Sequence, residues 1–290
     1  MANIPFDERD GFIWLDGKLV PWREATLHVL THALHYGSAV FEGERAYNGK
    51  VFKMREHTER LRRSAELLDY KIPYAADEID AVIMATLKAN NLKDAYVRPI
   101  AWRGTETLGV SALQCKIHLA IACWEWPSYF SPEARAKGIK LMMSPWARPA
   151  PTTAPTAAKA AGLYMICTIS KNKAEQQGYS DALMLDWRGY VAEATGANFF
   201  MVKNGALHTP PIDCILNGIT RLTVMDLARQ RGIEVIERLF KPEEIENADE
   251  IFLTGSAAEV TAVGQIGDWR FTPGPVTAQL AEAYEKLTRE

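Results

Sequence analysis

Pro155-Thr156-Ala157-Ala158-Lys159-Ala160-Ala161-Gly162-Leu163-Tyr164 is the stretch around which the chain is organised. A surface lysine ordinarily keeps polar neighbours. Lys159 instead has two alanines on each side and a proline-rich approach running from Arg148 to Pro155. Small neighbours leave room for a bulky group beside the amine, and desolvation disfavours a lysine's charged form. Both conditions suit an amine nucleophile near neutral pH. The same residues also suit the start of a surface helix, and nothing inside them decides between the two readings.

The composition narrows the field. A chain of 290 residues is long enough for two domains. Its 48% hydrophobic and 24% charged residues are ordinary for a soluble globular protein. A net charge of −3 argues against a nucleic-acid binder, and no apolar run is long enough to span a bilayer. Met1 to Asp10 carries three acids and no apolar core, unlike a signal peptide. Cys115, Cys123, Cys167 and Cys214 form no Cys-x-x-Cys pair, which fits reduced thiols in a cytoplasmic protein.

In the first half, Phe12–Leu15, the turn Asp16-Gly17 and Lys18–Val20 read as a hairpin. His28, His32 and His35 fall at helical spacing, but no Cys or carboxylate completes a ligand set, so no metal is expected. Ser38 to Tyr47 reads as a strand before the turn Asn48-Gly49, with Phe41, Gly43 and Arg45 on one face. Helices are expected over Glu56–Tyr70, with Arg60 in an arginine run, and from Asp77, as N-cap, to Asn90. Ala95–Trp102, in which Tyr96 and Arg98 share a face, and Lys116–Trp124 read as strands. Glu125 to Pro132 mixes prolines and aromatics, including Trp126 and Tyr129, and reads as a linker that also walls a pocket. The expected layout is a small domain over 1–124, a connecting loop over 125–137 and a larger domain over 138–290 carrying Lys159. Strands and helices in both halves make the class mixed α and β, that is α+β.

In the second half a helix is expected from Ala161 to Gln177, ended by Gly178, followed by the strand Asp181–Asp186. Tyr190 to Val202 contains a single charge, Glu193. A buried carboxylate needs a partner; a glutamate on an edge strand facing water fits the residues as well. Gly218-Ile219-Thr220 opens an amphipathic helix, whose free N–H groups and dipole favour an anion. The strand Glu250–Leu253 ends in Thr254-Gly255-Ser256-Ala257-Ala258, a second set of close-approach backbone donors. A last helix is expected over Pro275–Leu287.

Together these motifs resemble the fold-type IV aminotransferases, two-domain enzymes of the D-amino acid aminotransferase-like fold that use pyridoxal 5′-phosphate. The likeness is greatest to branched-chain amino acid aminotransferases and covers nearly the whole chain. It rests on His35–Gly43, Tyr96–Pro99, Thr156–Lys159, Glu193–Asn198, Gly218–Arg221 and Gly255–Glu259, in that order. The resemblance implies transamination between L-leucine, L-isoleucine or L-valine and 2-oxoglutarate, in branched-chain amino-acid biosynthesis. It implies that Lys159 bonds to the cofactor and carries the proton, that Glu193 keeps the ring nitrogen protonated and that Tyr164 donates to the ring oxygen. Arg60, the N–H groups of Ile219 and Thr220, and the Ser256 hydroxyl would hold the phosphate. Ala257 and Ala258 N–H groups, with Tyr96, would bind the substrate α-carboxylate. Arg98, supported by Arg45, would pair with the γ-carboxylate of glutamate. Phe41, Gly43, Tyr36, Trp126, Tyr129 and Val110 would shape the side-chain pocket, some of them from a partner in a homodimer or higher homo-oligomer.

The chain departs from the family pattern in places. Glu44 stands where an aliphatic residue is frequent; by alternation it faces away from Phe41 and Gly43, so little effect is expected. Asn217 replaces a frequent proline, Ser256 a frequent threonine, and the charged loop Arg103–Val110 leaves the substrate range open. The same fold also serves D-amino acid and (R)-amine aminotransferases and aminodeoxychorismate lyases. A non-enzymatic binder of a phosphate-bearing ligand would keep the Thr220 turn without needing Lys159 and Glu193.

Overall fold

The computed structural model describes residues 4–126 and 137–290. They form two compact units. The first contains the described residues up to 126 together with Ala158–Gly162; the second contains those from 137 to 157 and Leu163–Glu290.

The first unit opens with β1 (Phe12–Leu15) and β2 (Lys18–Pro21), the expected hairpin. Asp16 and Gly17 take positive φ of 45° and 99°, the twist a two-residue turn requires. There follow α1 (His32–Tyr36), β3 (Val40–Phe41), β4 (Glu44–Tyr47), β5 (Lys50–Val51), α2 (Met54–Leu67), α3 (Ala76–Ala89), β6 (Ala95–Arg103) and β7 (Ile117–Glu125). The strands make one sheet in the order β2-β1-β7-β6-β4-β5, with β3 also paired to β6. Helix α3 buries Ile79, Ile83 and Leu87, spaced four apart on one stripe. It starts one residue before the expected Asp77: Glu78 accepts the Ala75 N–H at 2.6 Å, and Asp77 pairs with Arg55 instead of capping.

Helix α1 is too short to carry all three histidines, and each ring is used locally: His28 Nδ1 accepts the Leu30 N–H at 3.1 Å. His32 bonds Ser38 Oγ and the Gly109 carbonyl, each at 3.1 Å, while His35 reaches the Val29 carbonyl at 2.9 Å. The expected single strand over 38–47 is broken after Phe41. At the break the Glu42 side chain turns into the interior, fully buried, toward α2.

The second unit comprises β8 (Ile139–Met143), α4 (Tyr164–Gln176), β9 (Asp181–Leu185), β10 (Val191–Ala194), β11 (Asn198–Lys203), β12 (Ala206–Thr209), α5 (Ile219–Gln230), β13 (Val235–Glu237), β14 (Glu250–Gly255), β15 (Glu259–Ile266), β16 (Trp269–Arg270) and α6 (Pro275–Arg289). Its sheet runs β10-β9-β8-β15-β14-β11-β12-β13, and a β10–β11 pairing closes six of these strands into a barrel. Alternation sorts β11 cleanly: Phe199 and Met201 join the barrel's apolar interior, while Phe200 stacks on Phe252 of β14 at 5.0 Å. The run Tyr190–Val202 is therefore a hairpin, turning at Thr195-Gly196-Ala197, rather than one strand.

Lys159 was expected in the C-terminal domain, but it packs with the first unit. The reason is main-chain pairing: Phe41 N–H donates to the Lys159 carbonyl at 3.1 Å and Ala161 N–H to the Ala39 carbonyl at 2.8 Å. Val40 and Ala160 thus form an antiparallel bridge, and Lys159 lies in an extended segment before the helix rather than on it.

Glu44 is the unexpected residue of the first sheet. Its side chain does face away from Phe41, but into a sealed interior, with 0% exposure. Neither carboxylate oxygen meets a hydrogen-bond partner among the described residues. Burial, then the negative Glu42 and Asp80, push its carboxyl well above the ordinary value of 4.5, against the pull of Arg60. The folded protein therefore binds a proton there that the unfolded chain releases. Stability lent by that neutral acid is complete below pH 4.5 and declines as pH rises toward the raised folded value. Glu44→Gln should unfold at the same urea concentration as the parent near pH 4. The gap should then widen in the variant's favour by up to about 1.4 kcal/mol per pH unit, measured in urea titrations between pH 4 and 8.

Candidate active site

In the first unit two basic side chains approach the Phe41 ring. Lys159 Nζ stands 5.1 Å from its centroid and the Arg98 guanidinium 4.8 Å. Arg98 and Tyr96, two apart on β6, share a face as expected: Arg98 Nη2 donates to the Tyr96 hydroxyl at 3.1 Å. Tyr96 in turn packs against Trp126, ring centroids 4.8 Å apart. Gly43 makes this arrangement possible, since a Cβ there would stand 2.0 Å from the Tyr96 hydroxyl. The Nε atoms of Arg45 and Arg98 are buried and meet no acceptor among the described residues. Buried polar donors without an acceptor are rare in folded proteins.

Helix α2 carries three groups at i, i+3 and i+7 on the face toward these residues. Ser64 Oγ accepts the Lys159 N–H at 3.0 Å. Arg60 donates from Nε and Nη2 to the two oxygens of Glu42, at 2.7 and 2.8 Å. His57 Nδ1 completes the set at 2.7 Å from Glu42 Oε2. Burial pushes the Glu42 carboxyl up, but Arg60 and then His57 outweigh it and hold it well below the usual carboxylate range. Burial lowers His57, opposed by Glu42, so the imidazole is neutral and donates its Nδ1–H.

Tyr36 and Val110 stand apart from this cluster. Both lie exposed, Val110 at 84%, and the Tyr36 hydroxyl donates to the Leu108 carbonyl at 3.0 Å. Tyr129 lies outside the described residues.

The second unit places Glu193 on β10, 7% exposed, so the water-facing reading fails. Its Oε1 pairs with Arg148 Nε at 3.1 Å, and its Oε2 accepts from Asn198 Nδ2, also at 3.1 Å. Arg148 was not singled out by the sequence, although it opens the proline-rich approach to Lys159. It is 5% exposed and bonds the Cys214 carbonyl and Cys167 Sγ. Burial works against the Arg148 charge, but Glu193 outweighs it and raises the guanidinium's pKa, so Arg148 stays a cation. Tyr164 heads α4. Asn198 also reaches the Leu216 carbonyl at 2.8 Å, tying the β10–β11 turn to the approach of α5. Gly218, the N-cap of α5, is needed there: its Cβ would lie 2.0 Å from Asn198 Oδ1. The N-cap glycine has no side chain to bond the first-turn amides of α5, and helix N-termini of this kind favour anions. Thr220 is buried with its hydroxyl 3.4 Å from Tyr284. Ser256, Ala257 and Ala258 form the half-exposed turn joining β14 to β15. Within the second unit, then, a buried carboxylate paired with a guanidinium and the N-terminus of α5 stand tied together through Asn198; within the first, Lys159 stands among small residues.

Residues 39–266 match the amino-transferase class IV family. A branched-chain-amino-acid aminotransferase of Pseudomonas aeruginosa is 43% identical over 287 residues, covering 97% of this chain and 94% of that protein. The crystal structure of the Escherichia coli branched-chain amino acid aminotransferase superposes with a TM-score of 0.93 at 38% identity, covering 97% of this chain and 95% of that one. A branched-chain amino acid aminotransferase of T.th. complexed with N-(5′-phosphopyridoxyl)-L-glutamate gives 0.92 at 38% identity, with 97% and 95% covered. The chain belongs to the class IV aminotransferases, and its fold is fold-type IV.

Removing the Arg148 charge tests the geometry of the second unit. Arg148→Met strands a buried carboxylate and should destabilise the cofactor-free protein by roughly 3–5 kcal/mol. Adding Glu193→Gln to the same chain should restore most of that loss in urea unfolding.

Proposed function

We propose that this protein is a pyridoxal 5′-phosphate-dependent branched-chain aminotransferase. It exchanges the amino group of L-leucine, L-isoleucine or L-valine with 2-oxoglutarate, giving the 2-oxo acids and L-glutamate. The observation that carries this reading is the Phe41 ring with both Lys159 and Arg98 against it. It sets an apolar wall beside both a reactive amine and a cation. Full-length likeness to branched-chain aminotransferases supports it.

Transamination runs two half-reactions through one pocket, so an aliphatic side chain and a γ-carboxylate must both be accepted. A purely apolar pocket would leave that carboxylate unpaired. Arg98, with its orphaned Nε, takes the γ-carboxylate, and Arg45 stands beside it as a second donor. Phe41, Trp126 and Tyr129 serve the aliphatic chain, in the space that Gly43 keeps open. Tyr96 and the N–H groups of Ala257 and Ala258 hold the α-carboxylate.

The cofactor, when bound, supplies an electron sink for the charge left at the substrate Cα. Lys159 Nζ is its covalent attachment point, and the same nitrogen takes the Cα proton and returns one. Glu193, paired with Arg148, holds a proton on the ring nitrogen. Tyr164 donates to the ring oxygen. Arg60, the amides of Ile219 and Thr220, and the Ser256 hydroxyl hold the phosphate. Tyr96-x-Arg98 together with Phe41-x-Gly43 favours this reading over a D-amino acid or (R)-amine aminotransferase or an aminodeoxychorismate lyase. L-Leucine added to the yellow protein should bleach its visible band while D-leucine and D-alanine leave it unchanged. Bleaching by the D-amino acids alone would overturn the assignment.

The working form is a homodimer or a higher homo-oligomer. Leu27, Val29, Leu34, Leu108, Val110 and Leu113 are all exposed, at up to 85%, and the Tyr36–Leu108 bond joins their two segments. A second copy covering this apolar surface would bring Tyr36 and Val110 to a neighbouring pocket. No helix among the described residues is long and apolar enough to cross a membrane, and the proposed location is the cytoplasm. Sedimentation velocity should show at least a dimer for the active protein, and an active monomer would refute this part.

A further inference from the structure

Arg60 is held more firmly than a phosphate ligand needs to be. A guanidinium is a planar fork of five donors, and its direction is fixed only when one edge is pinned. Glu42 pins the edge carrying Nε and Nη2 with two bonds, at 2.7 and 2.8 Å. Glu42 is itself 0% exposed, and its second oxygen is held by His57, 2% exposed. The chain interrupts its strand, between β3 and β4, to turn this carboxylate inward. Burying a carboxylate is costly unless it is paired and hydrogen-bonded, so its place here has to be explained by what it holds.

We propose that Glu42 is a positioning residue that aims the Arg60 guanidinium at the cofactor phosphate, with His57 locking Glu42 in turn. The inference rests on the reading above in which Arg60 is a phosphate ligand. With one edge committed to Glu42, the plane and direction of the Arg60 guanidinium are set. Because Arg60 and Ser64 stand on one face of α2, and Ser64 holds the Lys159 amide, the helix sets phosphate ligand and reactive lysine from one rigid element. Glu42→Gln removes the charge and turns an amide donor toward a guanidinium donor, while keeping the side-chain volume.

The test compares binding of pyridoxal 5′-phosphate with pyridoxal, which lacks the phosphate, to cofactor-free protein, read by tryptophan fluorescence. The parent should prefer the phosphorylated form, and Arg60→Ala should lose most of that preference. Glu42→Gln should cut the preference roughly tenfold with pyridoxal affinity unchanged, the size of loss typical when a supporting residue is removed. In the Arg60→Ala background Glu42→Gln should change nothing further. If Arg60→Ala abolishes the preference and Glu42→Gln leaves it intact, or weakens both ligands equally, the positioning role is overturned and the phosphate reading survives. If Arg60→Ala itself leaves the preference intact, the phosphate reading fails and the inference falls with it. Should Glu42→Gln not fold, His57→Leu replaces it in the same comparison, and an unchanged preference there is equally fatal.

Discussion

Two backbone hydrogen bonds, from Phe41 to Lys159 and from Ala161 to Ala39, set the position of Lys159. They add the Lys159 segment to β3 as a short antiparallel partner, and Ser64 secures the lysine's own amide. Everything attributed to Lys159 follows from that anchoring. The main chain is held by bonds that do not involve the side chain, so the amine can act chemically without having to hold the segment in place. The alanines around it have a second purpose here. Ala160 faces Val40 in the bridge, and both are buried, so a bulkier residue would push the two segments apart.

Glu42 in the first unit and Glu193 in the second use the same physics. Glu42 is held by Arg60 and His57, Glu193 by Arg148 and Asn198. In both cases a cation and a neutral donor together offset the desolvation cost. Glu44 shows the contrast two residues from Glu42: without a cation in hydrogen-bond contact, it keeps its proton.

Much of this was legible in the residues. Alternation placed Tyr96 and Arg98 on one face, the Asn-Gly and Asp-Gly turns marked their hairpins, and an isolated Glu193 in an apolar run raised a buried carboxylate as one of two readings. What escaped was long-range pairing. No local pattern says that 159–161 adds to 39–41, because a strand of that length has no period to detect. Arg148 looked like loop punctuation before prolines, and only the barrel's closure sets it against Glu193. Strand β15 was missed because Glu259–Ile266 follows a turn whose glycine and small residues read as the end of an element. Alternation correctly turned Glu44 from Phe41, but periodicity cannot tell a solvated face from one roofed by helices.

Glu44 also has a spectroscopic consequence. A neutral carboxylic acid with no hydrogen-bond partner among the described residues has a C=O stretch set apart from the backbone amide absorption and from ionised carboxylates. The protein therefore carries an intrinsic infrared label inside its first sheet, two residues along the chain from Glu42. Its frequency responds to the local field, so changes of charge around Arg60 would be recorded in a vibration without any probe being introduced.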